Sequence, residues 1–326
     1  MTDIRAIRIA ETGSPEVMTL GTVRLPSPGE GELLVRAHAV GVNFIDTYQR
    51  SGLYKIPVPG GLGLEASGVV EAVGPGVEGL SRGDRAAYCS GPPGAYAEAH
   101  VVSADRAVRL PDSVSHDQAA AAMLKGLTVQ YLIRQIRRCG PGDTVLFHAG
   151  AGGVGQIAVQ WLKAVGATVI ATAGGPEKCA LVSGLGADHV IDYRAEETAP
   201  RVREITGGQG VPVVYDGVGA DTWLASLDSL EPKGLMVSFG NASGPVTGVD
   251  LGILAAKGSL FVTRPTLFTY TATREALQAA ADDMFTALAA GDFRLAEPRV
   301  YPLEEAVQAH RDLEGRKTTG SVILRP

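Results

Sequence analysis

The feature that most restricts the fold is "DTVLFHAGAGGVGQIAVQWLKAVG" (143–166), a β-rich run, a glycine turn and an amphipathic helix in direct succession. Gly150, Gly152 and Gly155 satisfy G-x-G-x-x-G. Val154, Ile157, Ala158, Trp161, Leu162 and Val165 form one helical face, which Gly166 closes. In that setting the glycines provide, in turn, a sharp bend, room for a pyrophosphate against the backbone, and close packing of helix on strand. The helix N-terminus adds amides and a partial positive charge. The chain has 42 glycines, against ~23 expected from average usage, so the pattern alone would be weak. Its place between strand and helix makes it a dinucleotide site.

Around this turn, strand runs are predicted at 144–148, 168–172, 189–192, 211–215, 235–239 and near 259–263, separated by helical text. Such alternation implies right-handed crossovers and an α/β, doubly wound parallel sheet. Ile4 to about Pro111 has a different grammar, with short β-branched runs cut by "LPSPGEG", "GPGVEGLSRGD" and "SGPPGAYA". That is an all-β, barrel-like unit of short antiparallel strands. Ser115 and Gln118 have capping-box spacing before an alanine-rich helix, a second helical run covers 127–140, and a long helix is predicted over 273–291. At 326 residues two domains are expected.

The strand after the glycine turn ends Thr172-Ala173-Gly174-Gly175, where an NAD site usually places an acid for the ribose 2′-hydroxyl. No acid stands there to repel a 2′-phosphate. Lys178 follows, with Tyr193 and Arg194 after the next strand, and a cation beside a phenol suits a phosphate. NADPH is therefore favoured over NADH. Glu177 beside Pro176 reads as first-turn helix chemistry.

Net charge is −6, which offers no general field for nucleic acid or an anionic membrane. Cys89, Cys139 and Cys179 lack CxxC spacing and suggest neither a disulfide framework nor a zinc knot. The N-terminal "MTDIRAIRIAETG" has no apolar core of a leader, and no apolar run approaches membrane-spanning length. A soluble, cytoplasmic protein is expected.

Five segments carry a resemblance: "GVNFIDTYQRSGLYKIPVPGGLGLEASGVVEAVGPGVEGLSRGDRAAY" (41–88), "LKGLTVQYL" (124–132), "HAGAGGVG" (148–155), "VVYDGVGADTW" (213–223) and "LMVSFGNASG" (235–244). Together they are similar to the zinc-independent quinone oxidoreductases of the medium-chain dehydrogenase/reductase superfamily, the zeta-crystallin type. The likeness runs over essentially the whole chain. It implies a GroES-like β-barrel domain from both chain ends (1–124 and 264–326), a central Rossmann domain (125–263), a cleft between them and a homodimer. Where zinc enzymes of the superfamily carry Cys and a His-Glu pair, this chain has Asn43 and Leu64-Glu65. An amide and an aliphatic chain cannot replace thiolate and imidazole, so no metal site is expected.

The resemblance places Asn43, Asp46, Tyr48 and Tyr54 in the active cleft. Thr128 and Gln130 become cofactor contacts, Gly152, Gly153 and Val154 cover the pyrophosphate, and Gly174, Lys178 and Tyr193 meet the 2′-phosphate. Phe239, Gly240 and Asn241 line the nicotinamide side, with Arg264 and Arg316 approaching from the return segment. Gly150 stands where relatives commonly have alanine, and Lys317 could dilute the role of Arg316. His148 precedes the phosphate turn and is placed to order it, whereas His38 and His100 read as structural.

A quinone is already a strong hydride acceptor, so the protein must mainly stack two flat rings and exclude wrong geometries. Asn43 and Tyr48 suit a quinone oxygen where charge develops, with Tyr48 or Tyr54 as proton donor. Two rivals stay open: an NADPH-dependent alkenal or enone reductase, and a low-turnover crystallin-type dinucleotide- or RNA-binding protein, against which the acidic balance argues.

Overall fold

The computed structural model describes residues 1–326. Two compact units are present. The first comprises Met1–Leu127, Thr271–Phe285 and Leu295–Pro326, and the second Thr128–Tyr270 with Thr286–Arg294. The changes at 127/128 and 270/271 fall a few residues beyond the expected 124/125 and 263/264. Thr286–Arg294, expected with the first unit, belongs to the second, where Phe293 is fully buried against the indole of Trp161 at a ring separation of 5.3 Å. Burying one such aromatic side chain contributes about 2–3 kcal/mol. Gln160 pins the same segment through Arg294, donating to its carbonyl oxygen and accepting from its N–H at 3.0 Å each.

The first unit contains a sheet whose strands run in the order Arg299–Pro302, Val322–Arg325, Glu32–Val42, Glu65–Val73, Arg85–Tyr88, Ala107–Arg109, with Ala99–Ser103 also pairing to Glu32–Val42. All pairings are antiparallel except the first. A second, three-stranded sheet is formed by Met18–Leu25, Thr2–Ile9 and Gly60–Gly61. The core of this unit is mostly aliphatic, with Ile7, Leu33, Val35, Leu62 and Val70 sealed inside beside the ring of Tyr96. An eight-residue helix, Phe44–Ser51, stands where only strands and turns were expected. It closes in the left-handed region at Gly52, φ 87°, a conformation glycine adopts without Cβ strain.

The second unit is built on six parallel strands in the order His189–Asp192, Thr168–Ala173, Thr144–Phe147, Val211–Asp216, Leu230–Ser238, Phe261–Thr263. This is the doubly wound sheet expected from the alternating pattern, and each central strand is a buried apolar run as parallel sheets require. The Ser115–Gln118 capping box is formed reciprocally, Ser115 N–H to Gln118 Oε1 at 2.9 Å and Gln118 N–H to Ser115 Oγ at 3.1 Å. The helix it opens, His116–Gln130, continues straight into a π turn at Tyr131–Ile136. The two helices expected over this stretch are therefore one, and Gly126 lies within it, where the side chain of Met284 occupies the space a Cβ would take.

Candidate active site

In the first unit, Asn43 sits at the N-terminus of the Phe44–Ser51 helix and Asp46 one turn inside it. Asp46 Oδ2 accepts from Asn43 N–H at 2.8 Å, giving the helix an acidic first turn as its dipole favours. The Asn43 side chain is 5 % exposed and donates through Nδ2 to Glu65 Oε2 at 2.7 Å. Because a carboxylate only accepts, the amide orientation is fixed. Glu65 Oε1 accepts from Leu124 N–H at 2.7 Å, and Lys125 Nζ lies 3.7 Å from Oε2. Glu65 is fully buried and Lys125 nearly so. Burial pushes the Glu65 carboxyl up, while Lys125, the Asn43 amide and the Leu124 N–H draw it back. Glu65 and Lys125 were not among the expected site residues; an acid in a strand followed 60 residues later by a lysine gives no local signal.

Asp46 is also buried, which lifts its carboxyl to about 7 against two hydrogen bonds that favour the ion. Its second bond comes from Tyr96 Oη at 2.9 Å. Beyond Tyr96 lie His310 Nε2 at 2.9 Å and, through His310 Nδ1, Arg50 Nη1 at 3.3 Å. Arg50 in turn makes a forked pair with Glu314 at 2.9 and 2.8 Å. Tyr48 is buried on the same helix, its ring 5.3 Å from that of Tyr54 in an edge arrangement. The four residues expected around the reacting ring, Asn43, Asp46, Tyr48 and Tyr54, are thus together on one helix and the turn after it. Arg316, also in this unit, is exposed with a left-handed φ of 57°. Lys317 beside it lies 3.9 Å from Asp312 Oδ1 and is largely exposed.

In the second unit the glycine turn joins Thr144–Phe147 to the Gly153–Ala164 helix. A Cβ at Gly155 would overlap the Ala149 carbonyl oxygen, so this close approach admits only glycine. A Cβ at Gly150 would meet Val182 Cγ1 at 3.0 Å and Ala171 Cβ at 3.2 Å, so alanine there needs the neighbours to give slightly. The Gly152 N–H is engaged by the Ala149 carbonyl at 3.0 Å, so this residue offers close backbone approach and no free amide. The N–H groups suited to an anion are those of Gly153 and Val154, first in the helix and without intrahelical acceptors.

Gly174 is cradled by the Tyr193 phenol, whose oxygen a Cβ would overlap. Tyr193 is 42 % exposed, and Lys178 stands half-buried in the first turn of the Pro176–Gly184 helix. Asp192 is nearby, with Oδ1 held by the N–H groups of Gly175 at 2.9 Å and Arg194 at 3.0 Å. These bonds hold the Asp192 carboxyl below its ordinary range. Phe239 packs 5.9 Å from Phe147, and position 240 admits only glycine, since a Cβ there would overlap the Gly217 carbonyl oxygen. Asn241 and Thr128 are buried, and Gln130 Oε1 accepts from Gln135 at 2.7 Å. Arg264 is anchored on the Ser238 carbonyl at 3.0 Å and belongs to this unit rather than to the return segment.

Two family descriptions match the chain, "Alcohol dehydrogenase GroES-like domain" over residues 29–112 and "Zinc-binding dehydrogenase" over 153–284. A quinone oxidoreductase of Pseudomonas aeruginosa is 53 % identical over 99 % of both chains. This chain belongs to the quinone oxidoreductase family. A crystal structure of an Escherichia coli quinone oxidoreductase, complexed with NADPH, superposes with a TM-score of 0.97 at 50 % identity, covering 99 % of this chain and 100 % of that one. A 2-haloacrylate reductase of a Burkholderia species is 42 % identical over 99 % of both chains. No helix in this family member is long and apolar enough to cross a membrane. The donor set at its Asn43–Glu65 cluster is amide, carboxylate and ammonium, with Leu64 beside them.

Proposed function

We propose that the chain reduces quinones with NADPH, without a metal ion, and that the cluster around Asn43 orients the quinone. NADPH, when bound, supplies the hydride. The residues present fit it: Gly155 lets the helix pack close on the turn, the Gly153 and Val154 amides suit the pyrophosphate, and the strand leading to Gly174, Lys178 and Tyr193 ends without an acid. Phe239, Gly240, Asn241 and Arg264 are assigned to the nicotinamide side, and Thr128, Gln130 and Arg316 to further cofactor contacts.

The observation that carries the reading is the amide of Asn43, held by a buried carboxylate with its second Nδ2 hydrogen left to donate. Asn43 then places a donor where a quinone oxygen gains charge. Tyr48 and Tyr54 form the aromatic wall, and either supplies the proton that completes the hydroquinone. Asn43→Ala is expected to lower kcat at least tenfold with the NADPH dissociation constant within about threefold of wild type. Unchanged turnover in steady-state assays would remove Asn43 from the mechanism.

The 42 % likeness to a 2-haloacrylate reductase favours one second reading, hydride delivery to a conjugated carbon. NADPH oxidation rates with 1,4-benzoquinone, a naphthoquinone, 2-chloroacrylate and a short enone separate the two. Higher kcat/KM for the enone or the haloacrylate would overturn the quinone assignment.

The homodimer is proposed on the free edge of the parallel sheet. Phe261–Thr263 pairs on one side only, with Phe261 60 % and Val262 37 % exposed. A bare apolar edge strand is a template for a second strand. Phe261→Lys is expected to shift the sedimentation coefficient to that of a monomer; a wild-type monomer would refute the proposal.

A further inference from the structure

We propose that Thr172, His148, Ser226 and Asp216 form a one-directional hydrogen-bond chain that holds the pyrophosphate turn in its binding shape, making all four positioning residues for the coenzyme. The inference rests on the NADPH reading above. Ala149, in the turn, is not glycine yet has a φ of 57°, a left-handed conformation that costs an L-residue roughly 1–2 kcal/mol. Its N–H is taken by Thr172 Oγ1 at 3.1 Å. Thr172 Oγ1 also lies 3.2 Å from His148 Nδ1, His148 Nε2 lies 3.1 Å from Ser226 Oγ, and Ser226 Oγ donates to Asp216 Oδ2 at 2.6 Å. All four side chains are buried.

The proton positions follow from the two ends. The Asp216 carboxylate only accepts, so the Ser226 hydrogen points to it and Ser226 Oγ must receive from His148 Nε2–H. His148, kept neutral by burial, then presents a bare Nδ1, which takes the Thr172 hydroxyl hydrogen. Thr172 Oγ1 is thereby left as an acceptor for the strained Ala149 N–H. Reversing any one link would set two hydrogens, or two lone pairs, against each other.

Asp216 fixes a second turn as well. Its Oδ1 accepts from Val218 N–H at 2.8 Å and Gly219 N–H at 3.1 Å, and its backbone carbonyl accepts from Phe239 N–H at 2.8 Å. Two loops at the carboxyl ends of the sheet strands are therefore tied to the Asp216 carboxylate, and a third is tied to its backbone carbonyl.

The test uses the full chain and NADPH. Thr172→Val and Ser226→Ala are expected to raise the NADPH dissociation constant roughly tenfold, as loss of a buried hydrogen bond predicts. KM for 1,4-benzoquinone should stay within about twofold, and Thr172→Ser should restore binding to near wild type. Long-range ¹H–¹⁵N correlation spectra should show His148 carrying its proton on Nε2 in the wild type and as a tautomer mixture in Ser226→Ala. Unaltered NADPH binding in both variants, failure of Thr172→Ser to rescue, or a wild-type Nδ1–H tautomer would overturn the chain. If a variant does not fold, the wild-type tautomer alone decides. Wild-type protein with the Nε2–H tautomer that fails to bind NADPH would refute the coenzyme reading instead.

Discussion

Lys125→Met is expected to destabilise the protein by about 3–5 kcal/mol, the range for stripping one partner from a buried ion pair. The cost arises because Glu65 has no solvent exposure. Its other partners, the Asn43 amide and the Leu124 N–H, are neutral. Removing the ammonium raises the Glu65 carboxyl further above its unfolded value. The folded variant therefore takes up a proton that the unfolded chain at the same pH lacks. Stability tied to such a raised group is present at low pH and lost as pH rises through the folded value, so the deficit should be smaller at pH 5 than at pH 8. Asp46, lifted to about 7, acts in the same direction between its unfolded range near 4 and neutrality. Pairing Lys125→Met with Glu65→Gln should recover most of the loss. Urea melts at the two pH values give the measurement; a deficit that is absent, or larger at pH 5, would show that Lys125 does not neutralise Glu65.

Lys178→Ala is expected to weaken NADPH binding by about ten- to a hundredfold, as the loss of a charge-assisted bond to phosphate allows, and to leave NADH nearly unaffected. No acid follows Thr172 at the strand end, and Asp192 has already given one oxygen to two backbone N–H groups. The variant should thus approach indifference between the coenzymes rather than reverse its preference. Calorimetric titration with both nucleotides tests this. Equal losses for the two would assign Lys178 a structural role in its helix and leave the 2′-phosphate to Tyr193 and Arg194.

The parallel sheet was legible because its strands are uninterrupted apolar runs and its phosphate turn has glycine where the backbone closes on itself. The strand Leu230–Ser238 was legible only from 235, since Pro232 and Gly234 look like a turn; the structure keeps them in the strand through a register irregularity between Val211 and Val213, with Lys233 at a φ of 64°. The Phe44–Ser51 helix was not legible at all. It buries Asp46, Gln49 and Arg50, polar residues that a local pattern assigns to solvent, and the partners of Asp46 and Arg50, namely Tyr96, His310 and Glu314, lie 50 to 264 positions away. Likewise His148 could be placed beside the phosphate turn, but the serine and aspartate that orient it come from the Val211–Asp216 strand and the helix after it.

The packing of Trp161 on Phe293 also bears on how unfolding can be followed. The chain has two tryptophans, Trp161 and Trp223, and both belong to the second unit. Indole emission is consequently blind to the β-rich half, whereas backbone dichroism samples both. A mismatch between the two optical melting curves would reveal halves that come apart in succession, and superimposable curves would mean they yield as one.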